Sequence, residues 1–419
     1  MCDLMEEKTS GFGEIAEKLG IIGKSLCRSH LYQRSGEGKK YRKKAKVMKK
    51  QIIFALLPLL LLSACNRQET IESPSVPELI EVKPTTYKIP EIIDQIVVEG
   101  RSQTLEDSIT MDYSGSGIRF CYEGQGTIKA KLMSTENRFD FSDDGRVGRT
   151  LFSIYLDGQR MEKNIVLDND YDDVTLLTDV PYGTHEVMIL RQTNVYMSIA
   201  NLYSITIEGS LLPCQKKERF IEYIGDSYTT GYSLQGPGEN GYDTDLDDPL
   251  EAYAFQSAKN LGVDYSLVAY SGAGFAFGYT DFTVPEVYPY LNYFRDEETY
   301  YTPNRMADLA IVNLGTNDVA KVGFYGSRKE VKEGVATLVG DIYTFHGEIP
   351  IAFLTDATHE NNDSLIQEAL KENFPETEFN FIYLSTNDGA YNGHPSKECG
   401  NRQGMELADS LRELYPDLF

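Results

Sequence analysis

Four short stretches of this 419-residue chain carry residue types that, brought together, would supply a nucleophile, a base and a place for developing negative charge. The run "RFIEYI" ends in Gly225-Asp226-Ser227, which would put a serine hydroxyl where a strand turns. Such a hydroxyl is a weak nucleophile until a base removes its proton. The usual base is histidine, whose ordinary pKa lies close to neutrality. Of His30, His185, His346, His359 and His394, the last fits best, because "NDGAYNGHPSKECG" is a Gly-rich loop between the last strand-like and last helix-like runs; His359, in "DATHENND", comes second. Attack on an ester carbonyl also needs hydrogen-bond donors for the oxyanion. The glycine turn "SGAG" (271–274) offers backbone N–H groups, Gly272 among them, and "NLGTND" (313–318) offers the side-chain amide of Asn317. Each piece alone is an ordinary turn; four in this order, each following an apolar run, are a signal.

The elements needed to position these residues are readable. After Pro213, strand-like runs ("RFIEYIGDS", "DYSLVAYSGAG", "ADLAIVNLGTND", "IPIAFLT", "FNFIYLS") alternate with amphipathic, helix-like ones ("EAYAFQSAKNLG", "KEVKEGVATLVGDIYTFH", "NDSLIQEALKENF", "RQGMELADSLRELY"). Such alternation predicts a three-layer α/β/α domain with a parallel sheet over 214–419. Chemistry in such sheets gathers beyond the carboxyl ends of the strands, where Ser227, Gly272, Asn317 and His394 fall. Residues 92–213 read differently. Short alternating runs such as "GIRFCYEG", "TIKAKLM", "LFSIYLDG", "THEVMILRQT" and "LYSITIEG" are separated by Asp157-Gly158, Pro181-Tyr182-Gly183 and Glu208-Gly209, predicting an N-terminal all-β sandwich or jelly roll.

With 41% hydrophobic and 25% charged residues the chain is globular rather than disordered or collagen-like. A net charge of −24 argues against nucleic acid as a partner. The front is nevertheless basic. From Met48, "MKKQIIFALLPLLLLSAC" has a lysine pair, an apolar run too short to span a bilayer comfortably and small residues before Cys65, the pattern of a signal peptide over 48–65. Its ending resembles the lipobox of bacterial lipoproteins, which implies lipidation of Cys65 and attachment to a membrane of the bacterial cell envelope. Residues 1–47 are read as an upstream extension and 66–91 as a polar tether. Beyond Cys65 only Cys121, Cys214 and Cys399 remain, too few for a disulfide framework or a cysteine zinc site, though one disulfide stays open.

The four blocks "IGDSYTTGY", "YSGAG", "LGTND" and "GHPS" resemble those of the SGNH (GDSL-type) hydrolases. Carried over, the resemblance makes Ser227 the nucleophile and His394 the base. It makes the Gly272 N–H, the Asn317 amide and the Ser227 N–H an oxyanion hole. The segments "FSIYLDG", "LTDVPYGTHEVMILRQTN" and "ITIEGSLLP", followed at once by the serine block, are similar to carbohydrate esterase family 2. That family joins an N-terminal jelly roll to an SGNH domain and removes acetyl groups from plant polysaccharides. The resemblance therefore implies an esterase for acetylated oligo- or polysaccharide that needs no metal or cofactor. Two departures stand out. The aspartate common three residues before the histidine is Tyr391 here, and Asn392-Gly393 replace the Asp-Trp of related esterases. Asp388 could fold back to the imidazole, or a backbone carbonyl could orient it in a Ser–His dyad. The chain also has no Trp, so sugar stacking would fall to Tyr or Phe. The tyrosine-rich stretch 279–294 reads equally as a cleft wall or a packed insertion, and "DTDLDD" (243–248) as a solvated acidic loop rather than a calcium loop. Two rival functions remain open: a catalytically decayed carbohydrate-binding lipoprotein, and an SGNH thioesterase or lysophospholipase.

Overall fold

The front of the chain folds around five main strands, β1 (Thr85–Lys88), β2 (Gly117–Ser134), β3 (Leu151–Leu156), β4 (Tyr171–Arg191) and β5 (Ala200–Leu212). This computed structural model describes residues 83–138, 148–236, 244–323, 328–356, 360–391 and 393–419. The expected extension, signal peptide and Cys65 lie outside the described residues, as do most of the tether, His359 and Asn392. All described residues belong to one compact unit, Pro77–Phe419.

The front strands pair antiparallel in the order β1–β5–β2–β4–β3, in one network of nine strands with the shorter ones. Alternating side chains of β2 (Ile118, Phe120, Tyr122) and β4 (Val187, Ile189) join Phe152, Ile154, Ile205 and Ile207 in a buried core. Two features differ from the sequence expectation. Thr85–Lys88, assigned to the tether, pairs with β5; four residues carry too little pattern to announce a strand. The runs expected as separate short strands are continuous through Gly124-Gln125-Gly126 and through Pro181-Tyr182-Gly183. Gly124 lies opposite both Gly183 and Gly209, and the register shifts beside it. A Cβ on Gly124 would sit 2.2 Å from the Glu208 carbonyl oxygen, so only glycine lets the strands approach there. The bulges bend long strands where the sequence suggests turns. A disulfide, Cys121–Cys214, ties β2 to the residues after β5, while Cys399 is a buried free thiol.

From Phe220 onward the fold is α/β. Strands β6 (Phe220–Gly225), β7 (Asp264–Ala269), β8 (Leu309–Asn313), β9 (Ile351–Asp356) and β10 (Asn380–Leu384) form a wholly parallel sheet in the order β7–β6–β8–β9–β10. Every residue of β6 and β7 is buried, as near-continuous apolar runs demand. Helices α1 (Ser227–Thr230), α2 (Tyr253–Leu261), α3 (Thr316–Val322), α4 (Arg328–His346), α5 (Glu360–Asn373) and α6 (Lys397–Leu414) follow the strands. Apolar residues of α2 and α6 (Tyr253, Ala258, Leu407, Leu411) cover Ile221, Tyr223 and Leu267 on one face. Those of α4 and α5 (Val335, Leu338, Ile366, Ala369) cover Ile224, Val268, Val312 and Phe353 on the other. The chain leaves β6 for β7 on one side and later crosses to β8 on the other. That reversal makes the carboxyl ends of β6 and β8 the topological switch point, the place where ligands bind in open α/β sheets.

Beneath the sheet, Arg101 of the front domain reaches Glu222 of β6. Its Nε and Nη2 each donate to a Glu222 carboxylate oxygen at 3.3 Å, and its Nη1 donates to the Tyr288 carbonyl at 2.5 Å. The guanidinium lies 4.2 and 4.1 Å from the ring centroids of Tyr288 and Tyr301. Glu222 also accepts from the Tyr288 hydroxyl at 2.5 Å and from His346 Nε2 at 3.1 Å. His346 Nδ1 accepts the Ala307 N–H, which leaves Nε2 as the donor to Glu222. Burial alone would raise the Glu222 pKa, but Arg101, His346 and Tyr288 outweigh it and bring it to about 2.

Candidate active site

The nucleophile turn is built by its neighbours. A Cβ on Gly225 would lie 2.0 Å from Thr229 Oγ1, so the end of β6 must be glycine for the chain to turn so tightly. Asp226, 1% exposed, caps α1 by accepting the Tyr228 N–H at 3.1 Å. Ser227 then opens the helix, 6% exposed.

His394 arrives from the opposite end of the sequence. After β10 the loop closes a tight turn in which the His394 N–H donates to the Tyr391 carbonyl at 2.9 Å, with Gly393 in the left-handed region (φ 78°). Ser396 caps α6 by accepting the Cys399 N–H at 3.1 Å. This turn sets His394 Nε2 2.7 Å from Ser227 Oγ, within reach for proton transfer. The other described histidines are engaged elsewhere: His185 with Asp157 and the Pro181 carbonyl, His346 with Glu222 and Ala307.

Asn317, near the start of α3, is buried against both preceding blocks. Its Nδ2 donates to Asp226 Oδ2 at 3.0 Å and to the Ala273 carbonyl at 2.9 Å. Both N–H bonds therefore have acceptors, and a reacting oxygen would share or displace one of them. Gly272 precedes Ala273 in a left-handed conformation (φ 83°). The next residue, Asp318, has a role that reading the block for its amide alone overlooks. Its carboxylate accepts the N–H groups of Phe275, Ala276 and Phe277 at 2.9, 2.8 and 2.8 Å. A Cβ on Gly274 would meet Asp318 Oδ2 at 2.3 Å, so glycine and carboxylate together shape the loop that carries Gly272. Burial raises the Asp318 pKa despite those three donors.

Asp388 does not fold back toward the imidazole. Its two oxygens accept the Ser396 N–H, at 2.8 Å, and the Ser396 hydroxyl. Those bonds hold its pKa low although partial burial pushes the other way. The carboxylate shapes the start of α6, a use that a count of residues back from the histidine does not reveal.

No established protein-family profile matches the chain. Among individual proteins it is 28% identical to the cellulase/esterase CelE of Acetivibrio thermocellus over 235 residues, 51% of this chain and 28% of that protein. It is 29% identical to an acetylxylan esterase / glucomannan deacetylase of Cellvibrio japonicus over 146 residues, 32% of this chain and 40% of that protein. The chain thus matches less than half the length of either relative. In three dimensions it superposes on an acetyl xylan esterase from the rumen bacterium Butyrivibrio proteoclasticus with a TM-score of 0.71 at 18% identity, covering 80% of this chain and 99% of the other. The fold is that of the solved family 2 carbohydrate esterases of Clostridium thermocellum and Cellvibrio japonicus, which superpose with a TM-score of 0.68 at 18% and 21% identity.

The resemblance to carbohydrate esterase family 2 therefore holds in sequence and in architecture. Within this family 2 esterase fold, two segments behave differently from their composition. Most of the tyrosine-rich stretch is a packed insertion: Phe282, Val284, Val287, Tyr288 and Phe294 join the core, and Tyr288 holds Arg101. Tyr279 is the exception, 60% exposed, its Cβ 3.4 Å from where a Cβ on Gly272 would stand. The acidic "DTDLDD" is not solvated at its end. Asp247 and Asp248 are 2% and 0% exposed. Asp247 Oδ1 accepts the Ser233 N–H at 2.9 Å, its carbonyl accepts Gln192 Nε2 at 2.8 Å, and Asp248 takes Arg160 Nη1 at 2.7 Å. Gln192 and Arg160 come from the front domain, far away in sequence, so local composition misleads. Tyr196, also from the front domain, bonds the Ser271 side chain beside Gly272. The β-domain thus helps build the wall of the site.

Proposed function

We propose that this chain is a serine esterase that removes O-acetyl or similarly short acyl groups from carbohydrate, by way of an acyl-enzyme on Ser227. The observation that carries the reading is the 2.7 Å contact between His394 Nε2 and Ser227 Oγ at the switch point of the parallel sheet. The Ser227 O–H proton passes to His394 Nε2 as Oγ bonds to the ester carbonyl carbon and the C=O π pair moves onto oxygen. The Gly272 and Ser227 N–H groups and the Asn317 amide are the donors for that oxyanion. Collapse breaks the bond to the sugar oxygen, which takes the proton from His394. Water, deprotonated by the same imidazole, then releases the acid and restores Ser227.

A carbohydrate substrate is supported by the names of the relatives and by the exposed Tyr279 ring beside the oxyanion loop, a face on which a sugar can stack. In the same reading the front domain is a jelly roll, the substrate is plant polysaccharide, and a lipid on Cys65 holds the enzyme at the cell envelope. The test is acetate release from acetylated xylan and from p-nitrophenyl acetate. Ser227→Ala is expected to lower kcat/KM by about 10³-fold or more while leaving the fold intact. Full activity in that variant, or wild-type binding of xylan without any acetate release, would refute the esterase reading.

A further inference from the structure

The base rests against two aromatic rings. The centroids of Tyr228 and Tyr232 lie 5.3 and 4.6 Å from that of the His394 imidazole, tilted by 32° and 42°. Local structure explains why both reach it. Tyr228 lies on α1, and Tyr232 follows just after its end. Gly231 caps the helix in the left-handed region (φ 71°), where a Cβ would lie 2.2 Å from the Asp248 carbonyl oxygen, and this bend returns Tyr232 toward the loop. The Tyr228 ring is braced in turn. Its hydroxyl accepts Asn387 Nδ2 at 3.0 Å, and the same amide donates to the Gly393 carbonyl at 2.8 Å, one residue before the base. Asn387 Oδ1 accepts the Gly389 N–H at 2.5 Å, which fixes the amide. The side chain next to the nucleophile and the backbone next to the base are thus held by one group.

Resting on the reading of Ser227 and His394 as nucleophile and base, we propose that Tyr228 and Tyr232 are positioning residues that hold the imidazole against Ser227 and stabilise the imidazolium formed when it takes the serine proton, with Asn387 bracing the pair. The negative faces of aromatic rings attract a cation at these separations. Asp388 serves the cap of α6. Other titratable groups on the elements packed around the base are Asp226 beneath Ser227, bonded to Tyr228 N and Asn317; Asp388 and Tyr391 on its own loop; and Lys397 on α6, paired with Glu251 at 3.0 Å. All of them stay in place when only a ring is changed.

The test follows the His394 Cε1–H resonance by NMR as pH is varied, assigned by its loss in His394→Gln, alongside the pH profile of kcat/KM for p-nitrophenyl acetate. Tyr232→Leu and Tyr228→Leu each remove a ring. Each is expected to lower the His394 midpoint by about half to one pH unit and to carry the acid limb of the profile the same way. Plateau kcat/KM is expected to fall about three- to tenfold, mainly in kcat. Tyr228→Phe keeps the ring and is expected to keep the midpoint while losing the brace, and Asn387→Ala behaves alike. A ring-fluorinated phenylalanine at 232 keeps shape and packing but weakens the negative face, so it is expected to lower the midpoint even if the leucine variants fold poorly. An unchanged midpoint with fluorinated phenylalanine overturns the proposal. If wild-type activity proves independent of Ser227, the esterase reading fails, but the NMR midpoints still decide whether the rings stabilise the cation.

Discussion

The two ends of strand β6 are held together in opposite ways. Toward its amino end Glu222 is fully buried and takes hydrogen bonds from Arg101, Tyr288 and His346. At its carboxyl end Asp226 and Ser227 meet Asn317 and His394 through hydrogen bonds of 3.0 and 2.7 Å. A third region lies between these extremes. Glu99 of the front domain, 2% exposed, takes one bond from Arg119 Nε at 3.0 Å, but that arginine also serves Asp264 at 2.5 Å and Glu186 at 3.4 Å. Glu99 Oε2 finds no donor among the described residues. Burial, then Asp264, outweigh Arg119 and raise the Glu99 pKa to about 7. A buried carboxylate is thus a lock where donors converge on it and a liability where carboxylates share one donor. At the carboxyl end of the strand the bonds join polar groups to a histidine and an amide rather than to a guanidinium.

The contrast breaks most visibly at Arg101. Arg101→Ala leaves Glu222 without its countercharge and is expected to cost about 3–5 kcal/mol in urea unfolding, while kcat of the folded fraction stays near wild type. A loss below about 1 kcal/mol would mean that the network is not the lock described. Asn317→Ala reverses the pattern: kcat is expected to fall about 10²–10³-fold. The loss of its bonds to Asp226 and Ala273 costs only about 1–2 kcal/mol of stability. Equal damage to both would erase the distinction between the two ends.

Smallest is the effect at Glu99, and it depends on pH. Its folded pKa of about 7 stands above the ordinary value of 4.5, so the folded state keeps a proton that the unfolded chain has lost. Stability therefore falls as pH rises from about 4.5 through about 7. Glu99→Gln is expected to remove that fall, gaining about 1–3 kcal/mol at pH 8 and little at pH 5. Glu222 works in the other direction. Its folded pKa of about 2 lies below 4.5, so its contribution is complete above about 4.5 and lost toward 2. Melting curves of wild type and Glu99→Gln across pH 3–8 check both signs, and parallel curves would contradict the assignment at Glu99.

What the sequence reveals and what it hides follow the same geography. The α/β half and its four blocks are legible because their signals are local: apolar strands of five or six residues, each followed by Gly, Ser, Asn or His at a turn. Pairing across the chain is not legible. Arg101 and Glu222 stand 121 residues apart, and nothing near either announces the other. Asp247 and Asp248 read as solvent-facing because Gln192 and Arg160 lie elsewhere. Asp318 and Asp388 read as a neighbour of the amide and a candidate triad member. Only coordinates show that one shapes the Gly272 loop and the other the start of α6. The bends at Gly124 and Pro181–Gly183 read as strand ends because glycine and proline mark turns and bulges alike.

The guanidinium that the β-domain threads under the parallel sheet bears on any attempt to shorten the protein. A gene fragment starting at residue 214 would retain every block of the hydrolase motif, yet it would strand Glu222 in a dry interior and strip Ser271 of Tyr196. Grafting the α/β half onto another carrier would therefore require Arg101, and the tyrosine loop around 196, to travel with it.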